Sequence, residues 1–122
     1  MQLDVSEHRF VVGVDDSGIV RATWRPCRTI DENLARQAVR ALEDVAGGRP
    51  RLLYIDVRGV VAVTRGGREA FSQARSVSRV ALVGRSPADR MVAGFVLGAS
   101  PLPVPAKFFT CEQVALQWLR RE

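Results

Sequence analysis

The sequence predicts a single α/β domain spanning residues 1–122, with elements in the order β-β-α-β-α-β-α-β-α and a mixed sheet that is mostly parallel in its second half. Three observations predict it. From Leu52 onward, apolar strand patterns and helical patterns alternate. The runs Leu52–Val57 and Val80–Gly84 are almost wholly apolar, as expected of strands covered on both faces. Helix starts are marked by capping residues rather than by propensity alone.

Arg9–Val14 and Ile19–Trp24 are rich in β-branched and aromatic residues and flank Asp15, Asp16, Ser17 and Gly18, a tight-turn composition. They predict a hairpin that Pro26 ends. Thr29, with Glu32 three residues on, has the form of a capping box and opens a first helix. Ile30, Leu34, Ala38, Leu42 and Val45 recur along it at helical spacing, and Gly47 and Gly48 stop it.

Leu52–Val57 is the next strand and ends at Asp56, after which Thr64 opens a helix over Gly66–Val77 with Ala70, Phe71, Ala74 and Val77 inward. Val80–Gly84 follows as a strand. Ser86 then caps a helix with Pro87 in its first turn, where a missing amide costs nothing, and Met91, Val92 and Phe95 mark the expected buried face. Gly98 closes it. The proline-spaced loop Ser100–Pro105 leads to a strand at Ala106–Phe109, and Thr110 with Gln113 predicts a second capping box for a last helix buried by Val114, Trp118 and Leu119.

Composition narrows the function classes. There are 122 residues, 47% hydrophobic and 25% charged, enough for one core and no second domain. No apolar run approaches the roughly 20 residues a membrane helix needs, and the start MQLDVSEHR lacks the basic-then-apolar order of a signal peptide, so a cytoplasmic protein without a membrane span is expected. The net charge is +5, but the cations are scattered arginines with Lys107 the one lysine, and no basic run meets an aromatic cluster. Nucleic acid is therefore not an expected partner. Cys27 and Cys111 fit neither a metal nor a disulfide pattern, and no cofactor motif is present.

The stretches ALVGRSPADRMVAGFVLGA (Ala81–Ala99) and KFFTCEQVALQWL (Lys107–Leu119), the proline loop between them and the order of elements resemble the STAS fold. That is the fold of anti-sigma-factor antagonists and of the cytoplasmic tails of sulphate transporters. Closer still, the chain is similar to an uncharacterised STAS/SEC14-like group of bacterial proteins. Anti-sigma antagonists carry a phosphorylated serine in an Asp-Ser-Ser-Gly at the helix start after the strand–Asp–loop segment. This chain keeps Asp56 and the loop but has Thr64, Arg65, Gly66 and Gly67 at that place. The resemblance thus implies the fold and an interaction or regulatory role without the serine switch, Arg65 putting a cation where the switch needs a neutral hydroxyl.

Right-handed crossovers would bring Thr64, Ser86 and Thr110 to the carboxyl edge of the sheet, where free amides favour an anion. Arg58, Arg65, Arg68 and Arg85 then form a candidate anion clamp with Thr64 and Ser86, for a small anionic or lipid-like ligand. The other reading is that Arg68 pairs with Asp56 or Glu69, Arg85 is solvated, and Thr64 and Ser86 are ordinary caps. Cys111, the one candidate nucleophile, has no evident base, since His8 lies in the first segment, and an inert buried thiol is expected. Asp15, Asp16 and Asp31 read as turn and cap residues. Leu102 and Val104 with Val60, Val61 and Val63 either dock a partner or tuck under the domain edge. Three function classes follow in order: a non-catalytic interaction module, itself as homodimer among the partners; a ligand binder; and an enzyme.

Overall fold

Alternation places Phe10 and Val12 on the same face as Val20, Ala22 and Trp24, all buried, while Val11, Arg21 and Thr23 point the other way. The computed structural model describes residues 2–5, 10–25, 28–98 and 104–121. Strands β1 (Gln2–Val5), β2 (Phe10–Val14) and β3 (Val20–Trp24) form an antiparallel meander, and β4 (Arg28–Ile30) leads into helix α1 (Glu32–Ala46). The rest is β5 (Arg51–Asp56), β6 (Val60–Val63), α2 (Arg65–Phe71), β7 (Val77–Val83), α3 (Pro87–Leu97), β8 (Ala106–Phe109) and α4 (Glu112–Arg120). Six strands make one sheet in the order β1-β2-β3-β5-β7-β8, and β4 pairs β6 in a separate parallel ladder.

From β3 onward the main sheet is parallel throughout, as the near-continuous apolar strands predict. Helices α1, α2 and α3 cover one face over a core that includes Trp24, Leu34, Leu53, Leu82 and Val92. Helix α4 packs on β5, β7 and β8 from the other side, over Ile19, Tyr54, Ala81, Val83 and Phe109. Among the described residues no helix is long and apolar enough to cross a membrane.

Three strands are additions to the expected order: β1, β4 and β6. The β4–β6 ladder accounts for one correction. It draws Thr29 into extended backbone, so the cap of α1 is Asp31, whose carboxylate accepts from Leu34 N at 2.9 Å. Asp31 as a cap and Asp15 as a turn residue agree with the sequence. Helix α2 ends at Phe71 rather than Val77, which opens β7. Met91 and Phe95, expected inside, are 77% and 46% exposed, because Asp89 turns inward with Val92, Ala93 and Val96 and rotates the buried stripe of α3. Val114 is likewise exposed, with Ala115 and Leu119 buried instead. Cys111, not Thr110, holds the cap position of α4 and makes no side-chain cap bond. Gly47, at φ 66, supplies the left-handed stop of α1 that a side chain would resist. His8, Pro26, Cys27 and Ser100–Pro103 lie outside the described residues.

The hairpin turn carries a measurable consequence. Asp15 Oδ1 accepts from Ser17 N (2.9 Å), Ser17 Oγ (2.7 Å) and Ile19 N (3.0 Å), and Oδ2 from Arg21 Nε (2.9 Å). Burial pushes its pKa up, but these donors outweigh it and hold the carboxyl at about 2. A folded pKa below the unfolded one gives stability that is complete above about pH 4 and lost as pH falls through 2. Asp15→Asn should therefore cost about 1–2 kcal/mol in urea unfolding at pH 7 and almost nothing near pH 2. An equal loss at both pH values would contradict this assignment.

Candidate functional site

The carboxyl edge of the sheet is where β5 and β7 end side by side, and its polar side chains bond one another. After Asp56, Val57 N donates to Val83 O at 2.8 Å and the chain turns through Gly59 at φ 80. Arg58 folds back on Asp56, its Nε 2.9 and 3.0 Å from the two carboxylate oxygens, its Nη2 2.6 Å from Oδ2, and its backbone N 3.0 Å from Oδ1. The Asp56 side chain is 11% exposed, that of Arg58 54%. This contact raises the Arg58 pKa further above its already high value.

On the neighbouring turn, Gly84 N donates to Phe109 O at 3.1 Å and joins the ends of β7 and β8, which sets Ser86 and Thr110 on one edge. Ser86 Oγ accepts from Asp89 N at 3.0 Å, and Asp89 Oδ2 accepts from Arg85 N (2.8 Å) and Ser86 N (3.0 Å), a complete capping box. Asp89 is 6% exposed, and the nearby Gly59 N–H also favours its charged form. Burial raises its carboxyl, but the N–H groups of Arg85, Ser86 and Gly59 outweigh that and hold it below the usual carboxylate range. One carboxylate thus closes the start of α3 and faces the turn after β5.

Thr64 stands apart from this pair. Its N–H donates to Ile30 O at 3.0 Å and its Oγ1 accepts from Gly67 N at 3.0 Å, so α2 begins against the start of α1 on the β4–β6 ladder. Arg68 Nε donates to Val96 O at 3.1 Å and holds the end of α3. Of the six residues read from the sequence, Arg58 and Arg68 serve protein acceptors, Thr64 and Ser86 are caps, and Arg65 and Arg85 are exposed on different helix starts. Val60 and Val63, taken as loop residues in the sequence, belong to β6 and are buried, while Val61 is exposed.

Three features had little or no signal in the sequence. Arg21 bonds Asp15 and Glu112 (Nη1–Oε2 3.1 Å) and lies 4.9 Å over the Tyr54 ring, joining the hairpin to α4. Burial, then the charges of Glu112 and Asp56, raise the Tyr54 pKa. An outward arginine on β3, in register with Tyr54, was the available signal. Beside the edge strand β8, a shallow hollow is bordered by Arg90, stacked 5.1 Å over Phe108, and by Val114 and Cys111. Cys111 is exposed rather than buried, which corrects the expectation. Among the described residues no cluster of His, Cys, Asp or Glu suits a metal ion.

The third feature is a partly open hollow of about 70 Å³ between the sheet and α1–α3, lined among the described residues by aliphatic and aromatic side chains. Trp24 is among them, and its Nε1 is one of two buried side-chain nitrogens without a partner among the described residues; the other is Arg28 Nε.

Comparison with known proteins supports the fold. A crystal structure described as an uncharacterized protein from the DUF3478 family with a SpoIIAA-like fold, from Shewanella loihica PV-4, superposes with a TM-score of 0.62 at 18% identity, covering 90% of this chain and 93% of that one. A crystal structure of a protein with unknown function from Arthrobacter sp. FB24 is 33% identical over 89% of this chain and 91% of its own, with a TM-score of 0.34. No curated protein matches. The expected STAS-like architecture is thus what the chain adopts, and with a family model matching residues 14–122, the protein belongs to the family described as Domain of unknown function (DUF7793).

Proposed function

We propose that this chain is a non-catalytic interaction module of the cytoplasm that works without a phosphoryl switch and associates with a second copy of itself through the outer flank of α3. The observation that carries the proposal is the exposure of Met91 (77%) and Phe95 (46%), one turn apart on the same flank of a short helix. Large apolar side chains grouped this way mark contact surfaces more often than isolated ones do. Support for the missing switch comes from the start of α2, where the Thr64 hydroxyl already accepts from Gly67 N and a cation, Arg65, follows. The rim that an enzyme would use has its carboxylates, Asp56 and Asp89, committed to Arg58 and to backbone amides. A reducing compartment suits the exposed thiol of Cys111.

Sedimentation velocity tests this. The full chain is expected to sediment as a dimer, and Met91→Glu with Phe95→Glu to weaken that association about thirtyfold or more, as truncated or charged central anchors do. Both side chains are exposed, so the melting temperature of the monomer should hold. A wild-type chain that stays monomeric at its highest soluble concentration rules out self-association through α3.

A further inference from the structure

We propose that the open edge of β8 receives an extended acidic segment of a partner protein, which joins the main sheet as a further strand. The site lies beyond the self-association flank of α3 and needs no second copy of this chain.

Strand β8 is last in the sheet order, and among the described residues no strand pairs with its outer side. Val80 N donates to Pro105 O at 2.9 Å and Gly84 N to Phe109 O at 3.1 Å, so Pro105 and Phe109 turn their carbonyls toward β7. Backbone direction alternates along a strand, which gives Lys107 the same side and leaves the N–H and C=O of Ala106 and Phe108 pointing outward. An edge of this kind is a template for one more strand. Beside it lies the shallow hollow bordered by Arg90, Phe108, Thr110, Cys111 and Val114, which gives the side chains of an added strand a place to rest.

Charge selects the occupant. Phe108 and Phe109 face opposite sides of the sheet, Phe108 toward the core under α1–α3 and Phe109 toward α4. A cation sits on each ring: the Arg90 guanidinium lies 5.1 Å over Phe108, and Lys107 Nζ lies 5.7 Å over Phe109. Both cationic side chains are exposed, and neither meets a carboxylate among the described residues. Resting on a ring leaves a cation its full charge while limiting where it swings, so the edge presents one placed positive group on each face. A strand with an acidic side chain on each face pairs both at once.

A second copy of this chain is the wrong partner for the edge. Antiparallel pairing of two β8 strands with Ala106 opposite Phe108 sets Lys107 against Lys107 and adds a second Arg90 to the same edge. Like charges directly opposite destabilise a sheet.

The test titrates the full chain, isotope-labelled for NMR, with the capped peptide Thr-Val-Thr-Asp-Glu-Val-Thr-Val, whose adjacent acids project to opposite faces. The control peptide carries Lys-Lys in their place. Saturable binding of the acidic peptide is expected, with slowed hydrogen exchange at the Ala106 and Phe108 amides and none at those of Lys107 and Phe109, which already face β7. Arg90→Glu with Lys107→Glu should weaken the acidic peptide about tenfold or more and make the Lys-Lys peptide the better ligand. Both side chains are exposed, so this variant should melt with the wild type. Absence of saturable binding by the acidic peptide overturns the proposal. So does equal affinity for the two peptides, which would leave Lys107 as a guard against edge-to-edge contact. Binding that leaves the Ala106 and Phe108 amides unchanged places the peptide elsewhere and overturns it too, and protection of those amides that grows with the concentration of the free chain would give the edge to a second copy.

Discussion

Asp89→Ala is expected to lower the unfolding free energy by about 3–4 kcal/mol, among the largest losses from any polar residue of this chain. The carboxylate is buried and accepts the backbone N–H groups of Arg85 and Ser86, while the nearby Gly59 N–H, on the turn after β5, also favours its charged form. Hydrogen bonds to a charged acceptor contribute about 1.5–3 kcal/mol each, and the donors stranded by an alanine recover part of that from water. Gly84 amplifies the dependence: a Cβ there would meet the Asp89 Cβ at 2.6 Å, so the turn is built closely around this one side chain. Asp89→Asn keeps an acceptor without the charge and should cost about half as much. The pH dependence follows from sign. The folded pKa lies below the unfolded value of about 3.9, so the contribution is complete above that pH and disappears as pH falls through the lower folded value. Urea unfolding at pH 7 and in the acid limb should therefore show the wild type and Asp89→Asn converging as pH drops. Parallel curves down to the acid limit would mean that Asp89 does not clamp the start of α3.

That clamp was half legible. Ser86 before Pro87 announces a helix start in the sequence, and Asp89 sits at the capping-box position three residues on. The nearness of Asp89 to Gly59 depends on β5 and β7 lying side by side, which no local pattern contains. The order of the main elements was readable because apolar strands and capped helices are local signals. The β4–β6 ladder was not, since its strands are three and four residues long and gain their order by pairing with each other. Thr29 shows the outcome: its spacing to Glu32 fits a cap, but a long-range pairing uses it first, and Asp31 takes the role. On α3 the run MVAGFV is apolar almost all round, so periodicity could not choose its buried face; the inward turn of Asp89 chose it. Arg58 could have been assigned, because an arginine two residues after a strand-end aspartate can fold back onto it without any tertiary help. The apolar hollow and the lone N–H of Trp24 were beyond reach, being properties of how three helices sit on one sheet face.

Gly67→Ala should cost about 2–3 kcal/mol, whereas Gly66→Ala next to it should be close to neutral. Both glycines lie in the first turn of α2, where alanine alone would favour the helix by up to about 1 kcal/mol. The difference is what each new methyl group meets. At Gly67 it would stand 2.6 Å from Ile30 O and 3.3 Å from Asp31 O, backbone atoms fixed by the β4–β6 ladder and the start of α1. Neither can yield, so α2 must move off α1. At Gly66 the new methyl group would meet no backbone atom; its neighbours are Glu32 Cβ at 3.0 Å, which must give by a few tenths of an ångström, and Oε1 and Cγ at 3.1 and 3.6 Å on an exposed side chain that can swing aside. That shift relieves the contact. The movement forced at Gly67 also reaches the interior, because Phe71 one turn on packs edge-on against Trp24 at 5.9 Å and both line the apolar hollow. The Gly67→Ala protein should accordingly show altered Trp24 emission in its native state along with its lower denaturation midpoint, and Gly66→Ala neither. Equal midpoints for the two variants would show that α2 does not rest on the backbone of α1, and the close seam between the two helices would have to be redrawn.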